Sequence, residues 1–408
     1  MKYAHLADLH LGSWRDEKMR LLSTTAFITA IDDCINKGVD FILFAGDLFN
    51  TSLPSLDTLK LVTKKLKELK DKDISLYAIA GSHDFSPSGK TMLDVLENAG
   101  LLINVCKGAV NPESKQLRLK FTQDQKTGAK ITGMLGKKGL LDKVYYQNLE
   151  LENLEQEPGY KIFMFHTTLS ELKPKHLEMM ESQPVSFLPK RFNYYAGGHI
   201  HHPTILNLEN YGTLTYTGAL FPNNFAELEK YGKGSYLLIT VEENRQNVEQ
   251  VYIEVAKHHN LNLECKHKSP ELITSEIIEH FNNLDLNNSL ITIRLRGTIE
   301  QGRISDINFK DIFARLYAKG TYFIMKNTSQ LQTPEFEEIK INTSSPENRE
   351  EEIIKEHLQQ IKLFDRDTEM QLTKELLMTL NTTKREGENI TDFQTRVESE
   401  VNKLLNLK

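Results

Sequence analysis

Apolar and polar positions follow two different periods along the first hundred residues. Short apolar runs at residues 2–7, 39–45 and 75–80 predict buried strands. Between them, apolar residues recur every three or four positions over 21–37 and 58–70, which predicts helices with one buried face. Strands that alternate with helices indicate an α/β domain with a parallel sheet.

The rest of the chain divides into a β-rich stretch, a smaller mixed stretch and a helical tail. Further strands are predicted at residues 116–121, 130–134, 161–165, 192–196, 204–208, 235–241 and 250–255. From residue 261 a second alternation begins, and after the polar residues 341–349 apolar residues recur at helical spacing. We therefore predict an α/β domain of two packed β-sheets flanked by helices over 1–258, a small α+β domain over 259–341, and a linker with a helical tail over 342–408.

Composition excludes several classes of protein. Of 408 residues, 39% are hydrophobic and 26% are charged, which is typical of a globular chain. No apolar run reaches the roughly 18 to 20 residues that cross a bilayer, and Asp8 and His10 interrupt the place where a signal peptide would have its apolar segment. Cys34, Cys106 and Cys265 lie too far apart in sequence for a CxxC pair, so neither a disulfide framework nor a thiolate zinc site is expected. We expect a cytoplasmic protein without a membrane segment.

Acidic and imidazole side chains follow the ends of several predicted strands. They are Asp8 and His10, Asp47 after Gly46, Ser82, His83 and Asp84 after Gly81, His166, and His199 and His201 after Gly198. The carboxyl ends of parallel strands form one ligand-binding edge, so these side chains are expected to converge.

Imidazole nitrogen and carboxylate oxygen without thiolate suit Mn²⁺, Fe²⁺ or Zn²⁺. The set is too large for one ion and about right for two, which together can clamp the oxygens of a phosphoryl displacement. One carboxylate must then bridge the ions, and Asp47 is the natural candidate. The net charge of −6 gives no support for nucleic-acid binding, so a DNA substrate would need a local patch or this metal site to attract it.

The order of these residues resembles the calcineurin-like metallophosphoesterase superfamily. Four stretches resemble more closely the SbcD-type nuclease subunits of double-strand-break repair nuclease–ATPase complexes, in their archaeal and eukaryotic branch. They read HLADLHLG, VDFILFAGDLFN, AIAGSHDFSPSG and YYAGGHIHHP. The resemblance implies an Mn²⁺-dependent DNA nuclease, acting as an exonuclease, a single-strand endonuclease or both. It further implies a homodimer, a second domain that caps DNA, and a tail that binds the coiled coil of an ABC-type ATPase.

The resemblance also assigns roles to individual residues. It implies that two Mn²⁺ ions per chain are held by Asp8, His10, Asp47, Ser82, His166, His199 and His201. In that assignment Asp8, His10 and His201 hold the first ion, His166 and His199 hold the second with Ser82 at the position of a further ligand, and Asp47 bridges the two ions. His83 protonates the leaving oxygen or stabilises the phosphate, and Asp84 orients His83.

Two positions depart from the family pattern. Ser82 stands where the family usually has an asparagine ligand, and a neutral hydroxyl is a weaker and shorter ligand, so affinity for the second ion is in question. Asn50 stands where a histidine associated with handling the DNA end is common, which puts exonuclease action in more question than phosphodiester cleavage. Two alternatives stay open: a phosphodiesterase or phosphatase acting on other substrates, and a weakly active scaffold that binds DNA ends.

Three further features have two readings each. Trp14 is interpreted either as a packing residue of its loop or as a platform on which a base stacks. Arg294 and Arg296 alternate with apolar residues, so they either contact DNA phosphates or form a solvated strand face. The tail stripes predict self-packing or docking on a partner helix.

Overall fold

The computed structural model describes residues 1–86, 89–137, 142–243, 245–333, 354, 358, 365–385 and 388–405. The predicted linker at 341–349 and most of the first tail stripe lie outside these residues. The chain divides into two compact units. One comprises Met1–Cys265, Pro270–Arg296 and Ser305–Gln330, and the other comprises the described residues of Lys266–Ser269, Gly297–Ile304 and Leu331–Lys408.

The elements are numbered here in chain order. The strands are β1 (Lys2–Leu6), β2 (Phe41–Ala45), β3 (Ser75–Ile79), β4 (Ile103–Asn104), β5 (Gly108–Val110), β6 (Leu117–Leu119), β7 (Thr122–Gln123), β8 (Lys130–Gly133), β9 (Lys161–His166), β10 (Tyr194–Gly198), β11 (Thr204–Asn207), β12 (Thr213–Tyr216), β13 (Gly234–Glu242), β14 (Arg245–Ile253), β15 (Lys257–Glu264), β16 (Ser289–Thr298) and β17 (Phe323–Gln332). The α-helices are α1 (Glu17–Asn36), α2 (Leu56–Asp71), α3 (Met92–Asn98), α4 (Lys143–Gln147), α5 (Glu152–Glu155), α6 (Phe225–Tyr231), α7 (Pro270–His280), α8 (Phe309–Ala318), α9 (Arg366–Leu380) and α10 (Ile390–Leu404).

Two six-stranded sheets form the centre of the first unit. Their strand orders are β14-β13-β1-β2-β3-β4 and β11-β12-β10-β9-β8-β7. Strands β1 to β4 are parallel, as are β8, β9, β10 and β12. Side chains from both sheets share one core cluster, including Phe41 and Leu43 from the first sheet and Ile162 and Met164 from the second. The predicted pair of packed sheets is confirmed.

Helices cover the outer face of the first sheet. Phe27 of α1 and Leu66 of α2 pack with Ile42 and Phe44 of β2 in a second core cluster. Strand β2 is buried on both faces, which explains why its sequence is an unbroken apolar run rather than an alternating one. Asp16 and Ser55 cap the two helices by accepting hydrogen bonds from backbone amides of the first turns.

A small sheet of β15, β16 and β17 follows, together with α7 and α8. Strand β15 was not predicted, because its sequence KHHNLNLE carries only two apolar side chains and Leu261 alone is fully buried. The side chain of Arg294 in β16 is largely shielded from solvent. Nε of its guanidinium donates to both carboxylate oxygens of Glu229, at 2.8 and 2.9 Å, so Arg294 is not part of a solvated strand face, and its contact with DNA phosphates stays a prediction. Arg296 donates from Nε to the side-chain oxygen of Asn262 at 2.7 Å.

The second and third tail stripes coincide with α9 and α10, which contact each other. Both helices leave large apolar side chains exposed: Leu377, Met378, Leu380 and Ile390. Within the described part of the chain, no helix is long and apolar enough to span a bilayer. The domain boundaries at 258 and 341 stay a prediction.

Candidate metal centre

The carboxyl ends of five parallel strands bring the predicted side chains together. Asp8 and His10 follow β1, Asp47 follows β2, His83 and Asp84 follow β3, His166 ends β9, and His199 and His201 follow β10. Strand β9 pairs with β10 so that His166 lies beside Gly198, and the histidines of the second sheet therefore lie at the same end of neighbouring strands. Parallel pairing therefore concentrates residues that are nearly 200 positions apart in the chain.

Six of these side chains form three overlapping groups of close ligand atoms. Within each group the atoms lie within 4.8 Å of one another, and the groups are Asp8–His10–His201, His10–Asp47–His83 and Asp8–Asp47–His166. Oδ2 of Asp47 lies 3.2 Å from Nε2 of His166 and 3.5 Å from Nε2 of His10. Asp47 thus stands between the histidines of the two sheets, where a bridging carboxylate would have to lie.

Hydrogen bonds to the outer ring nitrogen orient three of the histidines. Nδ1 of His166 lies 2.8 Å from the carbonyl oxygen of Ala45. Nδ1 of His201 lies 2.9 Å from Oε1 of Glu227, and Nδ1 of His83 lies 2.8 Å from the carbonyl oxygen of Asn50. A carbonyl or carboxylate can only accept, so Nδ1 carries the hydrogen in each case. In the neutral imidazole Nε2 then keeps its lone pair, which is the form in which histidine binds a metal ion.

Backbone conformation around the ligands is unusual. Asp8, His10, Asp47 and His199 all have positive φ, at 52°, 41°, 52° and 87°. Such conformations cost of order 1 kcal/mol or more for residues other than glycine and collect at functional sites. Gly46 has φ of 90°, and a Cβ there would lie 2.2 Å from Nδ1 of His166. The turn after β2 therefore has to be glycine, both for its conformation and for the approach of the imidazole.

Electrostatics indicate that the centre favours cations. Burial alone would raise the pKa of Asp47, but His166, His10 and the amide of His83 outweigh it and lower this pKa far below its usual range. Burial would lower the pKa of His166, and the carboxylate of Asp47 instead raises it to about 10. A buried site that stabilises positive charge this strongly is suited to a divalent ion.

Burial acts to lower the pKa of His10, His199 and His201, and a hydrogen bond reverses this effect in one of them. Burial lowers the pKa of His10 and of His199 to about 3, so both imidazoles are neutral at physiological pH. Burial opposes protonation of His201 as well, but the hydrogen bond to Glu227 raises its pKa to about 9. Burial also raises the pKa of Asp8 to about 6.

The donor set fits two divalent ions. Nε2 of His166 is buried and has no hydrogen-bond partner, and Nε2 of His10 lies 3.2 Å from Nε2 of His201. A cation bound by these ring nitrogens would satisfy them. Imidazole and carboxylate donors without thiolate are the set that manganese, iron and zinc share.

Three predicted residues, His199, Ser82 and Asp84, lie outside the three groups of close ligand atoms. His199 lies one ring from His166, with centroids 5.2 Å apart, and its amide donates to both oxygens of Asp8. Ser82 is buried in the turn after β3, and its role as a ligand stays a prediction.

Asp84 has a different environment from the one the resemblance implied. Its oxygens accept from the amides of Asp47, Gly81 and Phe49, at 3.0, 2.9 and 3.3 Å. His83 is oriented by the carbonyl of Asn50. Asp84 thus holds the turn that presents Asp47, and burial raises its pKa to about 7.

Sequence reasoning missed the role of Glu227. This residue lies in α6, whose first turn is capped by Asn224, and its Oε2 accepts from the amide of Asn223 at 2.9 Å. These bonds fix the carboxylate that orients His201. Trp14 donates from Nε1 to the carbonyl of Pro222 at 2.9 Å and packs against the core, which supports the packing interpretation.

Two packed sheets with an aspartate- and histidine-rich centre at their strand ends define a dinuclear-metal phosphoesterase. Residues 1–203 match the family of calcineurin-like phosphoesterases, so this part of the chain is a domain of that family. The fold and enzyme class predicted from the sequence are thereby confirmed.

Several archaeal relatives share one description, "DNA double-strand break repair protein Mre11". The chain is 25% identical to that of Archaeoglobus fulgidus over 332 residues, 76% of this chain and 72% of the relative. It is 24% identical to that of Saccharolobus solfataricus over 337 residues, 80% and 84% respectively. It is 28% identical to that of Methanococcus maripaludis over 247 residues, 58% and 62% respectively.

Proposed function

We propose that this protein is a Mn²⁺-dependent DNA nuclease that processes DNA ends in double-strand-break repair. The observation that carries the proposal is the convergence of Asp8, His10, Asp47, His166 and His201 on one buried centre. The similarity to archaeal repair proteins over most of the chain supports DNA as the substrate. Two bound ions would supply an activated hydroxide and neutralise the charge of the phosphate.

We assign the ligands as the sequence predicted. Asp8, His10 and His201 hold one ion, His166 and His199 hold the other with Ser82 nearby, and Asp47 bridges them. Ala45 and Glu227 lock two of these imidazoles with Nε2 facing the centre. The protein's own contribution is therefore a rigid and preoriented set of donors.

His83 is the proposed proton donor to the leaving oxygen. It is only partly buried, its ring lies 4.8 Å from that of His10, and its backbone amide donates to Oδ1 of Asp47 at 2.7 Å. With Nδ1 bonded to the carbonyl of Asn50, Nε2 faces the reaction site. Such a histidine is within reach of substrate without being fixed as a structural residue.

The test is cleavage of DNA ends and hairpins by the purified chain with its ATPase partner and Mn²⁺. We expect cleavage by the wild type, none by Asp47→Ala, and a drop of 10²- to 10⁴-fold in rate for His83→Leu with Mn²⁺ binding retained. Intact DNA in the wild-type reaction would refute the nuclease proposal.

A panel of nucleotides and phosphopeptides tests the remaining alternatives. High turnover there without DNA cleavage would favour a phosphatase. A failure to bind two Mn²⁺ per chain would favour a scaffold.

The partner of the tail is proposed to be an ABC-type coiled-coil ATPase. The exposed apolar side chains of α9 and α10 support this, because Met378 is 77% and Ile390 67% exposed, which is costly in water. Leu380→Asp with Ile390→Asp should abolish co-purification with the ATPase and leave nuclease activity on short single strands unchanged. We also propose a homodimer, tested by sedimentation, and action in the cytoplasm, which the free thiols of the three cysteines support.

A further inference from the structure

Three buried side chains beside the segment that follows β9 (residues 167–169) carry oxygen atoms without a hydrogen-bond partner. They belong to Asp142, Tyr146 and Gln183, which are 1%, 3% and 1% exposed. Among the described residues, no donor or acceptor contacts either carboxylate oxygen of Asp142, the hydroxyl of Tyr146 or Oε1 of Gln183. Buried polar atoms are nearly always satisfied, so these oxygens require a ligand or an ordered water.

Asp142 stands directly before helix α4 but does not cap it. An aspartate at this position usually accepts a hydrogen bond from an amide of the first turn. Asp142 makes no such bond, and its backbone is already helical, with φ of −77° and ψ of −17°. Tyr146 follows one helical turn later, so the two side chains share one face of the helix. Because both are buried, this face is directed into the protein.

Gln183 approaches the same segment from another part of the chain. Its backbone amide donates to the carbonyl of Thr168 at 2.8 Å, and its Nε2 donates to Oγ1 of Thr167 at 3.0 Å. Tyr146 packs in one core cluster with Leu169. The helix and the loop that carries Gln183 therefore both contact the residues directly after β9.

The charge of Asp142 has no counter-ion in the protein. Burial raises the pKa of this carboxyl, and its own amide, the hydroxyl of Thr167 and the imidazole of His166 oppose the rise without outweighing it. Within the described residues no lysine, arginine or histidine forms an ion pair with Asp142. Nζ of the nearby Lys137 instead donates to the hydroxyl of Tyr145 at 3.0 Å.

These oxygens match the ligands of a hard cation. Protonation would remove the charge of Asp142, but its second oxygen and Oε1 of Gln183 would still lack a donor, since both can only accept. Buried charges in proteins are paired or coordinate a metal ion. Calcium sites gain affinity from several carboxylates, and magnesium keeps most of its waters. A single carboxylate among neutral oxygens balances the charge of a monovalent cation.

We propose that Asp142, Tyr146, Thr167 and Gln183 hold a monovalent cation, Na⁺ or K⁺, in a structural site separate from the metal centre. Protein oxygens would replace the hydration shell of the ion, as carbonyl oxygens do in potassium channels. The ion would fasten α4 and the loop of Gln183 to the end of β9. This site goes beyond the proposed function, because it requires neither Mn²⁺ nor DNA.

The experiment compares melting temperatures of the full chain in EDTA with equal concentrations of KCl, NaCl or choline chloride. Choline is too large to enter a buried site and keeps the ionic strength constant. At a concentration tenfold above the dissociation constant, a bound ion multiplies the folded-to-unfolded ratio about 11-fold, which is a rise of about 3 °C. We expect this rise in KCl, in NaCl or in both, and the salt that produces it identifies the ion.

Asp142→Asn should melt at the same temperature in all three salts, whereas the control Glu254→Gln, which changes an exposed carboxylate, should keep the rise. Wild-type crystals soaked in a thallium(I) salt should show an anomalous peak beside Asp142, which tests the site even if the variant does not fold. Equal melting temperatures of the wild type in the three salts would overturn the proposal and leave an ordered water there. A rise that persists in Asp142→Asn, or the absence of a thallium peak beside Asp142, would overturn it as well.

Discussion

Replacing Glu227 tests how the protein orients one metal ligand from outside the centre. In Glu227→Ala the imidazole of His201 loses the acceptor 2.9 Å from its Nδ1. The ring is then free to rotate and its Nε2 becomes a weaker base. Losing such a partner typically weakens metal affinity by about 10- to 100-fold, or about 1.4 to 2.7 kcal/mol.

The loss should be confined to one of the two ions. His166 is oriented by the carbonyl of Ala45, which the substitution does not touch. Calorimetric titration of EDTA-stripped protein with MnCl₂ should therefore show one binding step weakened and one unchanged. Glu227→Gln keeps an oxygen that accepts from Nδ1 and loses only the charge, so its affinity should fall less than tenfold.

A matched control is Glu254→Ala, which removes an exposed carboxylate that lies 3.8 Å from Nζ of Lys233 and outside the metal centre. It should bind both ions as the wild type does. If Glu227→Ala is folded by circular dichroism and still binds two Mn²⁺ within twofold of wild-type affinity, the orienting role of this carboxylate is wrong.

Three further substitutions have defined outcomes. Gly46→Ala should lower the melting temperature and abolish binding of one Mn²⁺, because a Cβ there would lie 2.2 Å from Nδ1 of His166. The control is Gly12→Ala, which has a similar φ and nothing within 4 Å of its Cβ, so it should lose only about 1 kcal/mol of stability through backbone strain. Asp84→Ala should cost about 3 kcal/mol or more in urea unfolding, because three backbone amides lose their acceptor; a cost below 1 kcal/mol would contradict the positioning role. Burial lowers the pKa of His5 from 6.5 to about 3. Below pH 6.5 the unfolded chain therefore protonates this histidine while the folded chain does not, so the stability that is fully present above pH 6.5 is lost as the pH falls towards 3. Stability at pH 5 should be about 2 kcal/mol below that at pH 7.5, and the difference should shrink in His5→Leu; equal pH dependence in both proteins would refute this.

The sequence predicted those parts of the fold that depend on burial along one element. Strands such as β2 are buried on both faces and stand out as continuous apolar runs. Helix α3 was missed although Thr91 and Asp94 form a capping box, a signal that was available in the sequence. Strand β15 could not be recognised because it lies at an edge, where polar side chains are tolerated.

The metal centre was predictable to the extent that ligands are chemically distinctive. Aspartate and histidine residues that follow a predicted strand can be recognised in the sequence, and their order along the chain is the basis of the resemblance to the family. The groups that orient these ligands, in contrast, have no distinctive signal in the sequence. The carbonyls of Ala45 and Asn50 belong to the backbone, which every residue has, and Glu227 lies 26 positions from His201. Only the tertiary structure brings these acceptors to the imidazoles.

Helix α6 has a partner on each side. Glu227 holds His201 of the metal centre, while Glu229, two residues later, is bound by Arg294 of the small sheet, with Nη2 and Oε2 2.7 Å apart. A helix of two turns has no internal joint, so both carboxylates move as one body. Strand β16 and the imidazole of His201 are therefore anchored to the same short helix, so a shift of α6 would change both contacts together.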